Sequence, residues 1–287
     1  MTERSKPFIF LVIAICAVSC SAILIRLTHT SPLVIAFYRQ LFSALMLLPF
    51  VRAKSGAEIP RKDYWLLILS GLFLALHFGT WITGLSYTSV AHATLFVDLQ
   101  PVWAAILGAI FLREHLNRIE IFAVCIVTFG GILTVVPQRG IGNATLTGDL
   151  LALSGGIAGA AYFLIGRGVR ARISWLRYVF CVYSFSAVWL LLFCLCLYRS
   201  FPLPAERDLI WIVLMALVPS LVGHGLFNLA IRKLKAYVVN AAFFGEPVLA
   251  TILAYFLFAE SPDRYFYAGA AIIFAGLFLL FRSQKEG

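Results

Sequence analysis

The chain has 287 residues, 62% of them hydrophobic and only 13% charged, with a mean hydropathy of +0.94. A soluble domain carries about a quarter charged residues, so this composition excludes a soluble globular fold, a disordered chain and a water-soluble enzyme. What remains is an all-α polytopic membrane protein, and the net charge of +10, which in a soluble protein would suggest nucleic acid, belongs to membrane topology instead.

The apolar runs are about 20 residues long, enough to cross ~30 Å of hydrocarbon as helix. Ten fit, predicting spans at 8–27, 33–51, 64–84, 90–112, 119–136, 148–166, 177–198, 209–231, 238–258 and 265–281. Arg4 and Lys6 before the first run resemble the start of a signal peptide. The run is too long for one, though, and Ala17-Val18-Ser19-Cys20 is a poor lipoprotein site, so the segment reads as a retained helix. The second span carries Arg39, the third His77 and Trp81, and the fourth Asp98 one turn before Pro101. In the eighth, Ser220, His224 and Asn228 recur every four residues as one polar stripe, and in the ninth Glu246 precedes Pro247. The six cysteines all lie in apolar runs without metal or redox spacing and read as packing residues.

Lys and Arg distribute unevenly over the connections. Arg26, Arg139, Arg199, Arg207 and Arg264 fall on one side, Arg39 lies within a span, and every other Lys and Arg falls on the side that holds both termini. That bias predicts cytoplasmic termini.

The chain also repeats itself. Pro101 and Glu114 are separated by thirteen residues, as are Pro247 and Glu260, and sixteen residues beyond each Glu stands a glycine, Gly130 and Gly276. Phe42-Ser43-Ala44 recurs as Phe185-Ser186-Ala187, and His77 and His224 lie at nearly the same offset before the two prolines. The expected organisation is two five-helix repeats, 1–137 and 138–287. Five is odd, so the second repeat enters the membrane inverted, an arrangement that builds alternating access in secondary transporters.

Gly84-Leu85-Ser86-Tyr87-Thr88-Ser89-Val90-Ala91, Pro101, Glu114 and Gly130-Gly131, echoed by Ala230 through Pro247, Glu260 and Gly276, resemble the signature of the EamA family of the drug/metabolite transporter superfamily. The resemblance covers nearly the whole chain, and its nearest branch is the YddG-type amino-acid exporters. It implies ten helices in two inverted repeats, with helices one to four and six to nine around a central path and helices five and ten outside. It also implies export of amino acids or similar small metabolites across the cytoplasmic (inner) membrane.

Ionisable groups inside a span are costly and therefore functional candidates: Arg39, His77, Asp98, His224 and Glu246. Arg39 and Asp98 can hold a zwitterion's carboxylate and amine, or can serve only each other as an ion pair locking two helices. Glu246 and His224 can form a proton site, which leaves proton coupling open, or can bond neighbouring helices together with Asn228. Trp81, Phe96, Trp103, Tyr162 and Phe244 offer an apolar lining, and Pro101 and Pro247, each lacking a backbone donor, offer helix hinges. Small stripes such as Gly155, Gly159 and Gly166 read as close helix packing or as room for a solute.

The sequence holds no phosphate-binding loop and no metal-ligand spacing, so no cofactor or metal is expected. The expected partners are a small-molecule substrate and the lipid bilayer, without nucleic acid. Two other classes stay open: a membrane-embedded enzyme acting on a lipid or prenyl substrate, which would need acidic clusters for magnesium, and a non-transporting membrane receptor.

Overall fold

The computed structural model describes residues 6–53, 59–88, 93, 96–113, 116–135, 146–201, 203–258 and 264–286. Glu114 and Glu260, which close the two repeated motifs, and the 137–145 connection lie outside them.

The described residues form helices and connections, without a strand. We number the helices α1 (Lys6–Arg26), α2 (Pro32–Ala53), α3 (Tyr64–Gly84), α4 (Gln100–Leu107, continued by Gly108–Leu112), α5 (Arg118–Val135), α6 (Leu146–Val169) and α7 (Trp175–Tyr198). α8 runs through Leu209–Met215, Ala216–His224 and Gly225–Ala230; α9 runs through Ala236–Ala241, Ala242–Phe244 and Gly245–Phe258; α10 is Arg264–Glu286. Eight of these, all but α4 and α5, are long and apolar enough to cross a membrane. Helix is the form that dictates itself here, because a membrane offers the backbone no partners outside the chain.

The exterior is apolar. Phe50, Phe111, Phe256 and Phe278 are more than 60% exposed, which suits lipid and not water. The polar residues turn inward instead: Arg39, Gln40, Ser43, Ser70, Ser186, Asn228 and Asn240 are all buried. This is a multi-pass membrane protein.

Packing brings distant parts of the chain together. α5 lies along α10, α3 along α6 and α7, α2 along α7 and α8, α1 along α8 and α9, and α4 between α6 and α9. Glycines permit the closest approaches. A Cβ on Gly130 would meet the Gly269 carbonyl oxygen at 2.9 Å, and one on Gly276 would meet a Val127 methyl at 2.6 Å. The two repeated glycines therefore seat the α5–α10 crossing from opposite sides.

Three helices change their winding. Ala216–His224 is wound as a π-helix around Pro219, Gly108–Leu112 ends α4 in the same way, and Ala242–Phe244 tightens to a 3-10 turn. Proline starts helices here as well as interrupting them. Pro101 stands in the first turn of α4, where no backbone donor is required, with Asp98 and Leu99 in the turn before it. Pro247 likewise falls in the first turn of the Gly245–Phe258 segment.

Candidate functional site

The five ionisable residues inside the spans converge. Arg39 of α2, His77 of α3, Asp98 before α4, His224 of α8 and Glu246 of α9 all line one buried cavity, with Trp81 on the same wall. Val18 and Ser21 of α1, Phe78, Val97, Gln100 and Phe243 complete the lining. The cavity measures about 20 Å³, room for a water molecule.

Arg39 is 1% exposed, and its hydrogen bonds go to hydroxyls. Its Nε donates to Ser220 Oγ at 2.7 Å and its Nη1 to Ser21 Oγ at 3.1 Å. The guanidinium also lies 4.2 Å from the centre of the Phe78 ring, a cation–π contact. Arg39 and Asp98 do not form the ion pair that would lock α2 to α4, because α2 turns the guanidinium towards serines on α1 and α8. Asp98 is 2% exposed, and its Oδ2 has no hydrogen-bond partner. Electrostatically, Asp98 and Glu246 act on each other, and Glu246 also feels Arg39. The site thus brings one guanidinium and two carboxyl groups into one cavity.

The histidines face each other edge to face with ring centres 6.1 Å apart. His77 Nδ1 hydrogen-bonds the Gly155 carbonyl at 2.9 Å, and its ring stacks on Trp81 at 6.2 Å. α6 comes this close because it is glycine there. A Cβ on Gly159 would sit 2.8 Å from His77 Nδ1 and would also strike Gln100. His224 is packed among Phe78, Phe163, Phe227 and Phe243, and its Nδ1 has no partner. No hydrogen bond joins it to Glu246.

The remaining sequence candidates lie around the cavity and not on its wall. Asn228 Nδ2 donates to the His224 carbonyl at 2.8 Å and to Tyr162 Oη, and Arg170 Nε donates to the Asn228 carbonyl at 3.2 Å. Asn228 and Tyr162 therefore tie α8 to α6 next to the site. Phe244 packs its ring on Gly131 of α5, and its neighbour Phe243 lines the cavity in its place. Phe96 and Trp103 are partly buried against the core and outside the lining. Ser21, Phe78, Gln100 and Phe243 are wall residues that the sequence did not single out. For Gln100 a signal existed: Gln100-Pro101 and Glu246-Pro247 occupy the same place in the repeated motif, and both polar side chains reach the cavity.

Two sets of polar contacts flank the site. On the side of the 52–63 and 167–177 connections, Arg172 Nη2 and Nε bind the two oxygens of Asp63 at 2.7 and 3.1 Å, and Lys235 Nζ reaches Glu120 Oε1 at 3.2 Å. Arg167 Nη1 adds bonds to the carbonyls of Ile231 and Arg232. At the α1–α2 connection, Asp208 Oδ2 accepts from His29 N, Thr30 N and Thr30 Oγ1 at 2.7–2.8 Å. Beside that connection opens a second cavity of about 400 Å³, walled by Ile25, Arg26, Ile35, Ile82 and Leu85 among others. It begins one residue from the first: Ala22 follows Ser21, and Ile82 follows Trp81.

Comparison with known proteins places the chain as a whole. The model of the EamA-like transporter family matches residues 6–136 and again 146–282. An uncharacterized transporter of Archaeoglobus fulgidus is 23% identical over all of both chains. An S-adenosylmethionine uptake transporter of Rickettsia bellii is 28% identical over 88% of this chain and 84% of its own. The pseudopaline exporter CntI of Pseudomonas aeruginosa is 24% identical over 88% and 86%. A protein of known crystal structure, 17% identical, has the same fold with a TM-score of 0.79 over 97% of this chain and 99% of that one.

Proposed function

The chain belongs to the EamA-like transporter family, and from that premise we propose that it is a secondary transporter moving amino acids or similar small metabolites across the cytoplasmic membrane by alternating access. The observation that carries this reading is the convergence of Arg39, His77, Asp98, His224 and Glu246, from five separate segments, on one buried cavity. Charges at that depth are costly and are kept where a solute or ion needs them. The relatives' names point to transport and not to enzymatic chemistry, and they widen the solute class beyond amino acids. One is an uptake transporter and one an exporter. Export here therefore rests on the resemblance to the YddG-type branch.

Ten spans in two inverted repeats, with both termini cytoplasmic, are part of the proposal. Helix pairing supports the repeat. Adding five to each helix number turns α3–α6 into α8–α1, α4–α6 into α9–α1 and α3–α7 into α8–α2, and it maps α2–α7, α4–α9 and α5–α10 onto themselves. In this reading the 400 Å³ cavity is the vestibule on the outer side, and the Asp63–Arg172 and Glu120–Lys235 pairs close the inner side. The solute meets the charged cavity from one side at a time as the repeats rock.

Counterflow in proteoliposomes with radiolabelled amino acids, sugars and nucleosides tests this. Amino acids should exchange. Absence of exchange by every solute class would remove the transport reading.

A further inference from the structure

The charges on the cavity wall do not balance, and the imbalance specifies a solute. With each group in its ordinary ionised form, Arg39 contributes one positive charge, and Asp98 and Glu246 two negative ones. His77 and His224 are neutral at pH 7.5, above the ordinary imidazole pKa of about 6.5. Val18, Ser21, Phe78, Trp81, Val97, Gln100 and Phe243 carry no charge. Nor do the packed neighbours restore the balance. α1 brings Ser19, whose hydroxyl donates to the Glu246 carbonyl, and the Cys20 thiol, which also faces Glu246 and carries no charge in its thiol form. α7 brings Tyr183 with its hydroxyl on the Ser220 carbonyl, and α6 brings Tyr162. Arg170, a buried cation just past the end of α6, donates to the carbonyls of Asn228 and Ile173 and is not among the lining residues. The helix starts at Gln100 and Gly245 are dipolar and leave the count of whole charges unchanged.

An uncompensated negative charge at this depth is costly, so either a proton on one of the carboxyl groups or a cationic group of the solute balances it. The unpaired atoms mark where a cationic group of the solute would be received. Asp98 Oδ2 and Gln100 Oε1 are buried acceptors without a donor, both on the α4 wall, and Glu246 faces the same space. On the donor side, Trp81 Nε1 is buried without an acceptor and shares the cavity with Arg39. The one cavity therefore offers a donor that lacks an acceptor and acceptors that lack a donor.

Building on the transport reading above, we infer that the cavity is matched to solutes of net charge +1, carrying one carboxylate and two cationic groups, as basic amino acids do. The carboxylate meets Arg39 and Trp81, and the cationic groups meet Asp98, Gln100 and Glu246. A neutral zwitterion balances the site only if a proton stays with it. Lysine and a proton therefore exclude each other, whereas norleucine, the same amino acid without the terminal ammonium, and a proton bind together.

The test uses the full-length purified chain in detergent, with lysine and norleucine as probes. Calorimetry in two buffers of different ionisation enthalpy reads affinity and protons exchanged. Lysine should bind at least about tenfold more tightly than norleucine at pH 8 and release about one proton more per molecule bound. The ratio of their affinities should change by up to about tenfold per pH unit, as one linked proton requires. Glu246→Gln removes one negative charge, so norleucine should become the preferred solute and the proton difference should vanish. Asp98→Asn should produce the same reversal and serves if the first variant does not fold.

Equal binding of the two solutes with equal proton release would overturn the charge match, as would a lysine preference that survives in both variants. Transport would stand in that case if counterflow still proceeded. A chain that exchanges no solute in counterflow overturns the transport reading instead.

Discussion

Asp63 and Asp208 make the same kind of contact at two places in the fold. Each is the last residue of a 3-10 turn leading into a long helix, and each carboxylate takes donors from a connection in the other half of the chain. Asp63 binds Arg172 between α6 and α7, and Asp208 binds His29 and Thr30 between α1 and α2. Those connections exchange under the same shift of five helices that relates the packing. The chemistry differs, since one contact is an ion pair and the other a carboxylate on backbone amides and a hydroxyl.

The ion pair is lopsided, which gives the first prediction. The Arg172 side chain is 43% exposed and that of Asp63 only 2%. Arg172→Ala strands a buried carboxylate and should cost about 1–3 kcal/mol. Asp63→Asn leaves an arginine free to reach water and should cost about 1 kcal/mol or less. Melting curves of the two variants in detergent check the order, and equal losses would contradict it.

Asp208 holds two backbone amides, so Asp208→Ala should speed hydrogen exchange at His29 and Thr30. The amides of α7 serve as the internal control. Unchanged exchange at those two positions would mean that other contacts hold the connection.

Arg39 is positioned by geometry that lysine cannot copy. A guanidinium donates through two nitrogens to two serines while its face lies on Phe78, whereas an ammonium is a single point of charge. Arg39→Lys should therefore keep the charge and lose most exchange activity in counterflow. Ser220→Ala removes the shorter of the two bonds and should destabilise by about 1.5–3 kcal/mol, as expected for a hydrogen bond to a charged group. Ser21→Ala should cost less.

Gly159→Ala tests how close α6 must come to the site. The added methyl falls 2.8 Å from His77 Nδ1. The misfit should cost about 1–3 kcal/mol and displace His77 from the Gly155 carbonyl. Counterflow should fall well below the level explained by the amount of folded protein. Full activity would show that His77 need not hold this position.

Topology has its own test. On a cysteine-free background, single cysteines in the 137–147 connection should label from outside, and those in 52–63 only after permeabilisation. The opposite pattern would invert the orientation.

The sequence revealed the charged half of the site and hid the rest, for a physical reason. Arg39, His77, Asp98, His224 and Glu246 stand out because each is expensive in a hydrocarbon-length run. Ser21, Phe78 and Phe243 are cheap there, so nothing in the sequence marks them. Choosing Phe243 over Phe244 needs the helix phase, and the tightened turn at Ala242–Phe244 changes that phase locally. The π winding of Ala216–His224 was equally invisible. It accounts for an irregularity in the repeat: His77 lies fourteen residues after Asp63, and His224 lies sixteen after Asp208. A wider turn takes up surplus residues while both rings still meet across the cavity. Asp63 and Asp208 escaped notice because they fall just before their predicted spans, where an acid costs nothing.

A cavity with room for a single water has a consequence for how affinities will look. No amino acid fits it as it stands, so a solute can be seated only in molecules whose walls have parted. The dissociation constant read in any titration is the intrinsic one divided by the fraction of such molecules. Were about one molecule in a hundred parted, a millimolar reading would conceal contacts worth about 10 micromolar. Trimming an apolar wall residue such as Val97 should raise that fraction. Such a variant would bind solute more tightly than the natural chain while making fewer contacts with it.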